Sequence, residues 1–439
     1  MIDASARTLR VLSLPHPLAA TEDPLEHLAG DATLTWARHG NGLLGFGEIA
    51  RSSATGPERF ALLSAWRSEL FAGAELHDGV GTPGSGPVAF GSFAFSKTSS
   101  QVSTLIVPEI VLGFRDGTAW ITWMTWDAGA ELTLDGALVR LEALREEAHE
   151  SHGARVTAVD DGGVSVEAYR AAVAAGVERI RGGEVEKIVL SRDAVLSLDA
   201  PVPVADTLRE LSVRYVDCWT YGVDGLLGAT PEMLIQVMNG TARARVLAGT
   251  LDRRAGLEAG DAAATAELAA DPKQRQEHQY AIDSLTAALG PLVTGLEAPS
   301  EPFVLQLPNV WHLASDVRAK LAPTADGATP GILELLPVVH PTAAVCGTPR
   351  ERAGEIIREL EGVDRGLYAG PVGWVDGAGN GEFGIALRGG IVEPSGTVVR
   401  LWAGCGIVAD SEPEAELAET FAKMRPMFQA LGAPLPAVH

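Results

Sequence analysis

Four stretches of this chain place ionisable side chains among apolar or glycine neighbours: EVEKIVLSR (184–192), GATPEMLI (228–235), KQRQEHQYAI (273–282) and GCGIVADSEPEAELAET (404–420). Such surroundings shift protonation equilibria, which is what acid–base chemistry needs. Lys187 shares one face of a predicted strand with Val185 and Val189. Partial loss of water there disfavours the ammonium form and suits a lysine base; the plain alternative is a strand-edge lysine with its head in water. Glu232 follows Thr230 and Pro231 and precedes Met233, Leu234 and Ile235. A carboxyl beside apolar residues can keep its proton and act as an acid; as a turn carboxylate it would have no such role.

Glu416 and Glu419 stand three apart on a predicted C-terminal helix, so both carboxylates share a face and repel unless a cation lies between them. Hard oxygen donors of this kind suit magnesium. A solvated acidic face is the competing reading in a chain with 57 acidic residues, and Lys423 can serve simply as the helix partner of Glu419. Glu277 is followed by His278, but Glu-His is not the HExxH pattern of a zinc protease. Gly249-Thr250 and Gly404-Cys405-Gly406 would let backbone N–H groups approach an anion closely. Arg388 follows a predicted strand, FGIAL, where its fork could grip a carboxylate or serve structure alone. Spacing by itself assigns no reaction to these residues.

The elements that must position them fall into two textures. Residues 1 to about 155 read as short strands and turns, such as VAFGSFAF (88–95) and the alternating AWITWMTW (119–126). A helix is predicted over 138–149, then an acidic, glycine-containing break at 159–163, which marks a soft boundary between an N-terminal β-rich part (1–160) and a second part (165–433). The second part opens with a helix over 166–181 that stops at Gly182-Gly183. A β-rich run, KIVLSRDAVLSL, follows. Asp271 caps a helix over 271–289 with Pro272 at its first position; another helix covers 350–360. Strands are expected at 370–375, 382–387 and 398–402, and a last helix at 413–431, opened by the S-x-x-E pattern Ser411 to Glu414. Strands and helices mix without regular βαβ alternation, so the predicted class is α+β with antiparallel sheets.

Bulk properties narrow the partners. A formal net charge of -23 over 439 residues repels nucleic acid. It also repels an acidic metabolite, so an anionic substrate would need local cations or a metal. Three dispersed cysteines fit neither a disulfide framework nor a zinc site and point to a reducing, cytoplasmic compartment. No run reaches membrane-span length, and MIDASARTLRVLSLPHP carries no apolar leader core. The absence of an exposed heptad or apolar helix favours a monomer.

Taken together, the four segments resemble the chorismate-utilising enzymes. EKIVLSR resembles the family's base-carrying strand. GATPEMLI is similar to its G-[AS]-S-P-E segment, with Thr230 where serine is common. PNVWHLASDV (308–317), HPTAAVCGTPRERA (340–353), GLYAGPVGW (366–374) and the C-terminal GCGIV…E…ET match in order, so the resemblance covers about 165 to 433. It implies large antiparallel sheets in an α/β sandwich with outer helices. It also implies that Lys187 removes a proton from water attacking C2 of chorismate while Glu232 protonates the leaving C4 hydroxyl from the opposite face, giving isochorismate. It further implies Mg2+ held by Glu277, Glu416 and Glu419; backbone contacts from Gly249, Thr250, Gly404 and Gly406, with Lys423, to the ring carboxylate; Arg388 and Tyr368 on the enolpyruvyl carboxylate; and His312 near the ring or leaving group.

Within the family, Pro341-Thr342-Ala343-Ala344-Val345 resembles the water-using branch rather than the P-[AS]-G-[TS] of the ammonia-using one. A salicylate-forming enzyme, which goes on to expel pyruvate, shares the same Lys and Glu and is the nearest alternative. An ammonia-using enzyme would need an amidotransferase partner, and a protein that only binds chorismate would have no need of intact Lys187, Glu232, Glu277 and Glu416. Two departures stand out: Gln274 one turn before Glu277, where a carboxylate is common, and Cys405 where alanine is common.

Overall fold

The structure is a computed structural model that describes residues 8–16, 23–30, 34–148, 153–252, 266, 268–307, 310–324 and 327–434, without the side chains of Thr250, Asp252 and Lys273. Among these residues two large sheets form. The first has 13 strands and runs in the order Val156–Asp161, Lys187–Leu198, Val398–Ile407, Gly389–Val392, Leu226–Thr230, Trp219–Val223, Leu34–Arg38, Asn41–Phe46, Ile110–Arg115, Thr118–Thr125, Arg10–Pro15 and Glu75–Asp78, with Gly347–Thr348 paired off that path to Lys187–Leu198. The second has 10 and includes Val310–Leu321, Thr241–Asp252, Met233–Met238, Gly381–Ile385, Pro371–Asp376 and Val88–Ser92 as neighbours in that order. Among the described strand pairs only Arg10–Pro15 with Glu75–Asp78 is parallel.

Strands from before and after residues 159–163 hydrogen-bond in both sheets: Tyr221 sits opposite Trp36 in the first, and Trp374 opposite Phe90 in the second. The segment expected to be a break is instead the strand Val156–Asp161, where Asp160 pairs with Val195. Its polar residues are tolerated because it lies at the end of the sheet, with one side to solvent.

Period-2 alternation sends neighbouring residues into different cores. Leu43 and Leu44 are both fully buried, yet Leu43 joins the cluster that also holds Phe90, Trp374 and Phe383 of the second sheet, while Leu44 joins Leu141, Leu211 and Phe428 on helices. The first cluster fills the space between the sheets and extends under helices such as Val166–Arg181, and the second lies under helices on the outer face of the first sheet. This is the expected mixed α/β sandwich with outer helices. Among the described helices none is long and apolar enough to cross a membrane.

The helix Val166–Arg181 has the predicted bounds, with Ser165 accepting from the Ala168 N–H as its cap and Gly183 at φ 77 beyond its end. The helix Pro272–Leu289 is capped by Asp271, whose Oδ1 accepts from the Gln274 N–H at 3.2 Å. Other boundaries differ from the sequence expectation. The helix Arg59–Ala72 falls in the part read as strands and turns. The helix predicted over 138–149 begins four residues earlier, at Leu134, because Thr133 caps it. The last helix, Pro413–Ala430, has no side-chain cap at Glu412; Ser411 instead accepts from the Val408 N–H and closes the preceding turn. The last strand extends to Ile407, so Gly404 and Gly406 lie inside a strand rather than in a loop.

Candidate active site

The site is built where the chain changes sheets. Leu226–Thr230 belongs to the first sheet and Met233–Met238 to the second, so Pro231 and Glu232 form the crossing. A few ångströms away the chain returns between Gly381–Ile385 and Gly389–Val392, and Arg388 sits on that crossing. The two are tied together by the Ile385 N–H donating to the Glu232 carbonyl at 3.1 Å. Arg388 has φ 54, a left-handed conformation unusual for a side chain of its size. Such geometry persists where the surrounding fold enforces it, commonly at binding sites.

A narrow, largely enclosed cleft opens between these crossings. Glu232, Gly249, Glu277, His312, Tyr368, Arg388, Gly404, Gly406 and Lys423, all singled out from the sequence, line it. Lys187 lies just behind the Gly406 wall. It is fully buried, its Nζ is 2.9 Å from Glu277 Oε1, and no hydrogen bond of proper direction engages it among the described residues. Alternation along Lys187–Leu198 explains its direction: Val189, two residues on, lines the cleft, whereas Ile188 and Leu190 pack against Gly176 of the helix Val166–Arg181.

Glu232 is 4% exposed. Burial pushes its carboxyl up to about 8, although Lys187, Arg388, the Leu247 N–H and Lys423 pull in the opposite direction. It is therefore held as a protonated acid at neutral pH. His312 donates from Nδ1 to the Gly249 carbonyl at 3.3 Å and accepts at Nε2 from Arg388 Nη2 at 2.8 Å. An arginine can only donate, so Nδ1 carries the proton and the ring is neutral. Burial, with Arg388 and Lys423 nearby, holds His312 well below the usual histidine range, which agrees. Tyr368 stacks on Trp402 with ring centres 5.6 Å apart, and burial raises its hydroxyl to about 12.

The glycines are demanded by close approach. Gly249 has φ 84 at a register shift in the pairing of Thr241–Asp252 with Val310–Leu321, and a Cβ there would lie 3.1 Å from the Gln274 carbonyl. Thr250 pairs with His312 in that register, and its side chain lies outside the described residues. A Cβ on Gly406 would come within 2.1 Å of Glu277 Oε1 and 2.9 Å of Lys187 Cε. The carbonyl of Gly404 accepts from Lys423 Nζ at 2.9 Å.

On the helix Pro413–Ala430, Glu416 and Glu419 carry ligand atoms that lie with Cys405 Sγ within 4.8 Å of one another. Burial pushes the Cys405 thiol well above its usual range, and its Sγ donates to the Glu416 carbonyl at 3.2 Å, so the thiol keeps its proton. The donors left are carboxylate oxygens, which fit a hard divalent cation. Lys423 pairs with Glu419 at 2.6 Å; burial alone would lower it, but that carboxylate raises it above the ordinary lysine value. Glu277 stands against Lys187 rather than inside the Cys405–Glu416–Glu419 group. Arg388 and Lys423 thus share the site with three carboxylates, Glu277, Glu416 and Glu419, and Lys187 stands against Glu277. A dianion entering alone would add to the buried negative charge, which a divalent cation offsets.

Several wall residues were not singled out from the sequence. Trp402 stacks on Tyr368, and Arg365 lines the cleft while paired with Glu361. Both stand just beyond the helix expected over 350–360, and nothing in their spacing says that both charges are buried.

Residues 17–432 match the family model described as chorismate binding enzyme, and the chain belongs to that family. Isochorismate synthase MenF of Bacillus subtilis is 31% identical over 363 residues, covering 79% of this chain and 75% of that protein. Isochorismate synthase DhbC of Bacillus subtilis is 38% identical over 277 residues, 61% of this chain and 68% of that one. Among solved structures, the 2,3-dihydroxybenzoate-specific isochorismate synthase DhbC from Bacillus anthracis superposes with a TM-score of 0.73 at 28% identity, covering 93% of this chain and 98% of that one.

Proposed function

We propose that this protein is an isochorismate synthase, an isomerase that converts chorismate to isochorismate. The observation that carries the reading is the pairing, around one cleft, of a buried lysine with a glutamic acid that burial keeps protonated. One group can take a proton while the other supplies one, which is the demand of adding water at one ring carbon and losing the hydroxyl of another as water.

In this mechanism Lys187, as the amine, takes a proton from the water that attacks C2. The ring double bonds shift, the C4–O bond breaks, and Glu232 protonates the departing hydroxyl, which leaves as water. One water enters and one leaves, so the reaction is an isomerisation, and the same groups exchange roles in reverse. Arg388, oriented by His312, and the Tyr368 hydroxyl bind the enolpyruvyl carboxylate. Gly249, Thr250, Gly404 and Gly406 approach the ring carboxylate, with Lys423 adding charge. Glu416 and Glu419, with Glu277, would hold Mg2+, which supplies neutralisation of the ring carboxylate. Neutral His312 can offer no charge and is suited to fixing Arg388 and the Gly249 turn.

The test is to incubate the purified protein with chorismate, with and without Mg2+, and separate the products. Isochorismate that depends on Mg2+, stops short of full conversion, and is lost in Lys187→Ala and Glu232→Gln is the expected result. Salicylate with pyruvate would move the protein to the salicylate-forming reading; binding without any product would leave only a chorismate-binding protein.

A further inference from the structure

The strand that carries Lys187 has a gap along one edge. Lys187 and Ile188 pair with Thr348 and Gly347, and residues 194 to 198 pair with Val156–Asp161. Between them, no strand among the described residues covers residues 189 to 193 on that side. Buried backbone groups left without partners are costly, so something else must satisfy them. The Val189 N–H donates to the Cys346 carbonyl at 2.8 Å. The Asp193 carbonyl accepts from the Gly162 N–H at 3.2 Å, and Arg365 and Glu361 supply the partners between. Arg365 Nη2 donates to the Val189 carbonyl at 2.6 Å, and Glu361 Oε1 accepts from the Ser191 N–H at 2.7 Å and from Ser191 Oγ at 2.9 Å.

The two side chains are locked to each other by a fork, with Arg365 Nε to Glu361 Oε2 at 2.9 Å and Nη2 to Oε1 at 2.6 Å. Both are almost wholly buried, 3% and 1% exposed at the side chain. Arg365 Nη1 also donates to the Val345 carbonyl at 2.9 Å, and the guanidinium lies 4.6 Å from the centre of the Phe95 ring. Arg365 therefore joins three walls of the cleft: the base strand through Val189, the 344–345 wall through Val345, and the Tyr368 turn through its own backbone, whose carbonyl accepts from the Tyr368 N–H at 3.1 Å.

Arg365 lines the cleft, so it could instead be taken for a ligand of the substrate. The hydrogen-bond inventory decides against that. Four of its five N–H groups are already directed at protein acceptors, and its charge is neutralised by Glu361. We infer that the Arg365–Glu361 pair is a positioning device for the reaction: it stands in for the missing strand and holds Lys187 and the Ala344–Val345 wall at the spacing the proton transfers require. The kinetic part of this inference rests on the isochorismate synthase reading; the structural part does not.

The test uses Arg365→Lys, which keeps the charge but loses the fork, Glu361→Gln, and the milder Ser191→Ala, which removes one hydrogen bond to Glu361 and serves if the first two fail to fold. In Arg365→Lys, amide hydrogen exchange should accelerate by about tenfold at 187–191 and 344–346 while Trp219–Val223 keeps its protection. With chorismate and Mg2+, kcat should fall by about 100-fold with KM within about threefold of wild type. Glu361→Gln should act in the same direction, and Ser191→Ala should show a weaker form of both effects. Exchange that rises uniformly through both sheets would reduce the pair to general stability and overturn the inference. A KM that rises with kcat intact, or a lower KM in Glu361→Gln, would make Arg365 a substrate ligand and overturn it too. If the wild type forms no isochorismate, the activity reading fails, and the exchange pattern still decides whether the pair positions these segments.

Discussion

At the scale of single residues, Glu232 has a measurable signature. Its carboxyl, held up to about 8 by burial, must be protonated to donate to the leaving hydroxyl. The turnover rate is therefore expected to fall as pH rises through about 8. A pH profile of kcat checks this, and Glu232→Gln should abolish the limb while lowering kcat at neutral pH by at least about 100-fold. Linkage gives the same group a second effect. Its folded value lies above the unfolded value of about 4.3, so its contribution to stability is complete below that value and lost as pH rises through about 8. The difference in Tm between wild type and Glu232→Gln should drift in the corresponding sense across that window. Arg388 offers a contrast. Replacing it by lysine removes the fork and the bond to His312 Nε2. The expected result is a KM for chorismate raised by about 10-fold or more, with a smaller change in kcat, read from steady-state kinetics.

At the scale of elements, the antiparallel pairing of Lys187–Leu198 with Val398–Ile407 sets Val189 opposite Gly406 and Ser191 opposite Gly404. Gly406 leaves room for Glu277 and Lys187 to come through. In Gly406→Ala the new methyl would meet the ends of two side chains rather than backbone, so those ends shift and the sheet persists. Activity should drop sharply while Tm changes by only a few degrees; a variant that unfolds with its activity, or one that keeps full activity, would contradict this. On the neighbouring helix Pro272–Leu289, Asp271→Ala removes the cap at Gln274. A loss of about 1 kcal/mol is expected, measured by denaturant unfolding. The helix Val166–Arg181 and the strand Lys187–Leu198 could be read with their bounds from periodicity and the Gly182-Gly183 stop. The strand through GCGI could not, because a glycine run reads as a loop until a partner strand is known to press against it. The Arg365–Glu361 pair carries no signal in the sequence because burial is not a local property.

At the scale of the molecule, a charge of -23 surrounds a cleft that receives a dianion. Mutual repulsion is screened by salt, over about 10 Å at 0.1 M. With Mg2+ saturating, kcat/KM for chorismate is expected to rise between low and moderate ionic strength, checked by initial rates over a KCl series; a steep fall would mean that Arg388 and Lys423 dominate the approach.

What the sequence determined by itself was a set of candidate groups, Lys187, Glu232 and the acidic residues on one face of the last helix, together with collinear segments whose resemblance to the family implied their roles. These are legible because side-chain type and helical or strand spacing are local. The tertiary structure alone decided which of them meet. Two crossings between the sheets bring Glu232 and Arg388 to one cleft, and the 13-stranded and 10-stranded sheets draw strands from both ends of the chain. It also decided that Glu232 keeps its proton and that His312 is neutral, since both follow from burial and from partners far away in sequence. Desolvation depends on everything packed around a group, and that is set only when the fold closes over it.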